Sequence, residues 1–100
     1  MTKNGFNYNS DHILCCDGIP LSELEKDYET PLFVYSAGTI IKTYKSLEHS
    51  LRKSKTNIHY AMKANSTLGI ISLLADLGSG ADIVSGGELK RALAVKIDPK

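Results

Sequence analysis

Apolar and polar positions recur along this chain with two periods that take turns. Leu32-Phe33-Val34-Tyr35 is a compact β-favouring run. Ile40, Tyr44, Leu47 and Leu51 follow at spacings of four, three and four, one stripe of a helix that Ser36 can cap. Asn57 to Met62 predicts a second strand. Ser66 or Thr67 can cap a second helix, with Ile70, Leu73, Leu74 and Leu77 as its buried face and Gly78 and Gly80 as its end. Ala81 to Val84 predicts a third strand, and Gly86 to Val95 a third helix with Leu89, Ala92 and Leu93 inward. Strands alternating with helices from residue 32 onward predict an α/β fold with parallel strands and right-handed crossovers.

The first third of the chain is patterned more weakly. Met1 to Asp11 is rich in Asn and reads as a loose tail. Ile13 to Cys16 predicts a short buried strand ended by the turn pair Asp17-Gly18. Ser22 and Glu25 have capping-box spacing, so a short helix is expected from about Glu23 to Tyr28, stopped by Thr30-Pro31. The expected organisation is a tail, short strand and helix over residues 1–31, then the first part of an α/β barrel domain over residues 32–100. Three βα units cannot close an eight-stranded (β/α)8 barrel, which takes ~250 residues. The barrel is therefore expected to be incomplete in this chain.

Composition narrows the function classes. Of 100 residues, 42% are hydrophobic and 23% charged, with a net charge of +1 spread along the chain. That is globular composition, without the basic face that nucleic acid requires. Cys15 and Cys16 are adjacent, poor geometry for bridging each other, and no partner stands at metal-ligand spacing. A reducing compartment and no metal are expected. The polar start has no apolar h-region, and Ile13 to Cys16 is too short to span a membrane. A cytoplasmic location follows as the expectation.

The candidate chemistry lies after the second strand. Alternation puts Ile58, Tyr60 and Met62 on one face, and His59, Ala61 and Lys63 on the other. Lys63 then stands at the carboxyl end of its strand, where barrel active sites sit, above a small Ala61. A lone lysine there is ordinarily a solvated strand-end residue; desolvated, its amine would be a nucleophile toward an aldehyde, and only the surrounding motif favours that reading. Asp82 interrupts an otherwise apolar strand: it is either a carboxylate exposed at the strand's start beside Gly80, or an inward one, which would need Lys63 or a cationic cofactor atom as partner. For Ser85-Gly86-Gly87-Glu88 a tight βα turn, with Glu88 capping the helix, is preferred over an anion cradle. His59 and Tyr60 read as packing residues.

Tyr60-Ala61-Met62-Lys63-Ala64-Asn65 and Gly80-Ala81-Asp82-Ile83-Val84-Ser85-Gly86-Gly87-Glu88-Leu89 together resemble the amino-terminal region of the diaminopimelate decarboxylase family, barrel-type pyridoxal-phosphate enzymes of the alanine-racemase-like group. Thr30 to Tyr35 and Arg91 to Ala94 are similar to the same family. The resemblance implies that Lys63 is the lysine holding pyridoxal 5'-phosphate as a Schiff base and that Asp82 lines the cofactor pocket. It implies a βα barrel followed by a mostly β domain, a homodimer, and decarboxylation of meso-2,6-diaminopimelate to L-lysine. It also implies that the phosphate loop, the acid facing the pyridine nitrogen and the substrate-reading groups lie beyond Lys100, so that these residues alone are inactive. Ser36, Thr67-Leu68 and Lys96 depart from the family pattern. The alternatives are a decarboxylase for ornithine, arginine or carboxynorspermidine, and a truncated product without catalysis.

Overall fold

The computed structural model describes residues 4–99 and divides into two compact units, 1–40 and 41–100. The boundary falls inside a helix.

The first unit contains an antiparallel meander. Strand β1 (Phe6–Tyr8) pairs with β2 (Leu14–Cys16), and β2 pairs with β3 (Ile19–Pro20). The tail expected over 1–11 is therefore corrected: residues 6–8 form a strand, and residues 1–3 lie outside the described residues. Asn9 supplies the missed signal. Its side-chain Oδ1 accepts from the amides of Asp11 (2.9 Å) and Ile13 (3.0 Å), turning the chain back on itself. Asp17-Gly18 turns as expected. Both residues take positive φ (49° and 84°), as a two-residue type I′ hairpin loop demands.

Helix α1 (Leu21–Tyr28) starts two residues before its expected position. No side chain caps it, so the Ser22/Glu25 capping box does not form; Ser22 is already inside the helix. The strand expected at Leu32–Tyr35 is also corrected. The segment is extended, with Leu32 and Val34 half-buried and Phe33 and Tyr35 exposed, but it has no ladder. Period-2 burial alone does not make a strand; a strand also needs a partner for its backbone groups.

Helix α2 (Ala37–Ser50) is capped by Ser36, whose Oγ accepts from the Thr39 amide at 3.0 Å. Of its predicted stripe, Tyr44 is buried while Leu47 is exposed.

The second unit carries the βα alternation. Strand β4 (His59–Ala61) runs into a 3-10 turn (Met62–Ala64), then helix α3 (Leu68–Asp76), strand β5 (Gly80–Asp82) and helix α4 (Gly86–Ala94). The two strands pair in parallel, with His59 opposite Gly80, Tyr60 opposite Ala81 and Ala61 opposite Asp82. Met62, Ile71, Ala92 and Ile97 form the core, with Tyr60, Ala75, Ala81, Ile83 and Val95 packed against it. The α/β class with parallel pairing is thus present.

Both helices are rotated from their predicted faces. In α3 the most buried residues are Ile71 and Leu74, with Ile70, Leu73 and Leu77 at the margins. That segment is apolar on nearly every side, so periodicity discriminated poorly. In α4 only Ala92 of the predicted three is buried; Leu89 and Leu93 are exposed. The stripe runs instead through Glu88, Ala92 and Val95, where a small side chain lets the helix approach the core closely.

Both helices end in Schellman motifs. After α3, Gly78 (φ 95°) donates to Ala75 O and Ser79 to Leu74 O. After α4, Lys96 takes the left-handed conformation (φ 62°) that glycine usually supplies, donating to Leu93 O while Ile97 donates to Ala92 O. Burial of Ile97 against Ala92 is the apolar contact that holds this cap closed without glycine.

Candidate functional site

The parallel pair orders the candidate residues by face. Tyr60 and Ala81, opposite one another, pack toward the helices, as does Ile83. Alternation then turns His59, Ala61, Gly80 and Asp82 to the other face. Ala61 and Asp82 form the last rung of the ladder, so both strands end at the same edge.

Lys63 stands just past that edge. The strand ends at Ala61, and Met62 drops into the core at 0% exposure as the chain tightens into the 3-10 turn. Lys63 is thus the exposed middle residue of a turn whose preceding side chain is fully anchored. Strand alternation stops one residue short of it. Asp82 is exposed, the last residue of β5, on the face away from the core. The fold therefore brings Lys63 and Asp82, 19 positions apart in sequence, to the carboxyl-terminal edge of one strand pair.

The loop after Lys63 is pinned at three places. The Tyr60 hydroxyl donates to the Asn65 carbonyl at 2.8 Å. Asn65 Oδ1 accepts from the Thr67 amide (3.0 Å) and the Thr67 hydroxyl (2.6 Å), so the turn into α3 is made by Asn65 rather than by a Ser66 or Thr67 cap. The Arg91 guanidinium on α4 reaches across to donate to the Ser66 carbonyl at 3.2 Å. The strand parity that turns the Tyr60 ring toward the core does not itself assign its hydroxyl a partner. The available signal was a polar tip on a core-facing strand residue, which needs a partner when partly buried.

Ser85 caps α4, and Glu88 reaches back past it to the preceding residue. The Ser85 hydroxyl accepts from the Glu88 amide (3.1 Å), and Glu88 Oε1 accepts from the Val84 amide (3.0 Å). With a carboxylate seated there, this helix start is a βα turn rather than an anion cradle.

Gly80 lies under the His59 ring, and a Cβ added there would come within 2.7 Å of Nε2. At the opposite, amino-terminal end of the strands, a polar cleft of about 420 Å³ runs between Arg52, Asn57, His59, Ser79 and Asp98. No group of three His, Cys, Asp or Glu is placed to hold a metal among the described residues, and none of their helices is long and apolar enough to cross a membrane.

The chemistry of the set suits a pyridoxal group. An exposed primary amine can bind an aldehyde carbon, Ala61 before it is small, and a carboxylate stands at the same edge.

A family model described as pyridoxal-dependent decarboxylase, pyridoxal binding domain, matches residues 37–100. The diaminopimelate decarboxylase of Vibrio cholerae is 47% identical over 94 residues, and that of Pseudomonas aeruginosa 42% identical over 94 residues; each alignment covers 94% of this chain and 22% of the relative. The crystal structure of diaminopimelate decarboxylase from M. jannaschii superposes with a TM-score of 0.86 at 33% identity, covering 95% of this chain and 23% of that one. The enzyme from Helicobacter pylori, solved in complex with L-lysine, superposes with a TM-score of 0.74 at 43% identity, covering 79% and 20%. The chain spans about a fifth of the length of these relatives. Its unclosed α/β arrangement agrees with the opening βα units of the barrel expected from the sequence. Matched over residues 37–100 by the family's pyridoxal-binding domain, and carrying that domain's parallel βα units, this chain belongs to the pyridoxal-dependent decarboxylases.

Proposed function

We propose that this chain serves the pyridoxal-phosphate-dependent decarboxylation of meso-2,6-diaminopimelate to L-lysine, with Lys63 holding the cofactor and Asp82 lining its pocket. The observation that carries the reading is the last rung of the parallel pair. Ala61 opposite Asp82 puts the lysine of one motif and the acid of the other at one edge. The named diaminopimelate decarboxylases among the relatives favour that substrate over ornithine, arginine or carboxynorspermidine.

Residue roles follow from position. Lys63 would hold the cofactor through its amine, and its Nζ could hold or move a proton at that edge. Asp82 contributes a negative charge that favours a cationic group at the same edge. Ala61, the strand residue before the turn, is small and leaves room beside that edge. The cofactor, when bound, supplies the electron sink for the charge left by departing carbon dioxide. The reading includes a cytoplasmic location, supported by two free, buried cysteines, and a homodimer, as the family resemblance suggests.

The test is covalent trapping. The chain is incubated with pyridoxal phosphate, reduced with borohydride and mapped by mass spectrometry. Label concentrated on Lys63, and lost in Lys63→Ala, is the expected result. Label spread evenly over the lysines would overturn the assignment. Carbon dioxide release from meso-diaminopimelate, compared with ornithine and arginine and assayed on a protein that carries the whole barrel, decides the substrate.

A further inference from the structure

Lys63 sits in a three-residue turn that is exposed on its outer side. Its amino-terminal boundary is rigid, because Met62 is fully buried. Its carboxyl-terminal boundary has no such anchor: Ala64 is exposed, and Asn65 and Ser66 are only half-buried. Two side chains from elsewhere hold that boundary instead. The Tyr60 hydroxyl fixes the Asn65 carbonyl from β4 below, at 2.8 Å. The Arg91 guanidinium fixes the Ser66 carbonyl from α4, 25 residues away in sequence, at 3.2 Å.

We infer that Tyr60 and Arg91 are positioning residues for Lys63: by holding the carbonyls of Asn65 and Ser66 they fix the backbone from which the lysine side chain projects. The inference rests on the assignment of Lys63 to the cofactor. Its physical basis is the contrast between stability and geometry. A hydrogen bond from a half-buried hydroxyl, or from an exposed guanidinium, contributes little net stability, because water replaces it when it breaks. Its geometric effect is larger, because a nucleophile held in one orientation does not have to be ordered again on each encounter. The Arg91 bond has a second consequence. Helix α4 follows the turn after Asp82, so one guanidinium ties the loop carrying Lys63 to the βα unit carrying Asp82.

The test uses the whole chain as wild type, Tyr60→Phe, Arg91→Met and Arg91→Lys, each incubated with pyridoxal phosphate and reduced. The share of label on Lys63 relative to the other lysines is measured across pH, with far-UV circular dichroism as the check on folding. Tyr60→Phe keeps the ring in the core and removes the hydroxyl. Arg91→Met keeps the aliphatic stem. Both variants are expected to retain the wild-type spectrum while the Lys63 share falls roughly 2- to 10-fold, the scale of one net hydrogen bond. Arg91→Lys, which can still donate to a carbonyl, is expected to recover most of the loss. If wild type labels Lys63 selectively and both truncations match it in share and pH profile, the positioning role is overturned while the cofactor assignment stands. If wild type itself shows no preference for Lys63, the assignment falls and this inference with it. Should Tyr60→Phe unfold the chain, the exposed Arg91→Met decides the matter alone.

Discussion

The Ser36 hydroxyl donates to Oδ1 of Asp17 at 2.7 Å while accepting from the Thr39 amide, so one side chain caps α2 and also ties it to the β2–β3 hairpin. The other Asp17 oxygen accepts from the Gly38 amide at 3.0 Å. Ser36→Ala removes a buried cap and leaves Asp17 without its hydroxyl donor. The expected loss is about 1 kcal/mol, read from the urea midpoint.

Hydrogen bonds from the Gly38 amide, and then from the Ser36 hydroxyl, hold the Asp17 carboxyl below its ordinary value of 3.8. A carboxyl depressed in the folded state stabilises fully above its unfolded value, and that contribution disappears as pH falls through the folded one. The first unit is therefore expected to weaken progressively below about pH 4. In Asp17→Asn this acid limb should be flatter. An acid titration followed by circular dichroism compares the two, and identical limbs would remove Asp17 from the account.

The two Schellman caps predict opposite responses to exchange at one position. Gly78→Ala forces a side chain into φ 95° with open space around it, so backbone strain alone should cost about 1 kcal/mol. Lys96→Gly relieves a side chain held at φ 62° and should gain a similar or smaller amount, about 0.5–1 kcal/mol. Paired urea titrations check the signs.

Gly80 and His59 are expected to couple. A Cβ at Gly80 meets the imidazole ring, so Gly80→Ala should cost about 1–2 kcal/mol. In a His59→Ala background the same change should be nearly neutral. A double-mutant cycle with no interaction energy would show that the ring swings aside freely.

The rotated helix faces predict a contrast between residues of similar hydrophobicity. Ile71→Ala, at a fully buried position, should cost about 3 kcal/mol, within the range of core truncations. Leu93→Ser, at a residue 52% exposed, should stay within about 0.5 kcal/mol of wild type. Equal losses would place Leu93 back in the core.

Much of this architecture was legible in the residues. Asp17-Gly18 specified its hairpin because few other pairs accept two positive φ values in succession. The parity of Tyr60 and Met62 against His59 and Ala61 was readable because one face meets a core. What escaped depended on partners distant in sequence. Leu32 to Tyr35 has the composition of a strand but no ladder, and Phe6 to Tyr8 has the ladder although only two aromatics stand there in an Asn-rich stretch. The face of α4 follows the contact of Ala92 with Ile97, a contact made by a cap at an atypical residue. At the site, positions were readable from motif spacing. The Arg91 bond to Ser66 was not, since nothing local links a helix residue to a carbonyl 25 places earlier.

Both cysteines of the chain lie in β2, the central strand of the first unit, at 2% and 5% exposure. Adjacent strand residues face opposite ways, so the two thiols are shielded from the two sides of the meander independently. Burial, and then the charge of Asp17, push the Cys16 thiol up, which further starves any alkylating reagent of the thiolate it attacks. Thiol labelling of this chain is consequently a clock for the opening of the amino-terminal unit alone. The half that carries Lys63 and Asp82 holds no sulfhydryl, so trapping at the lysine and alkylation at the cysteines can be followed in one sample as separate reports on separate parts of the molecule.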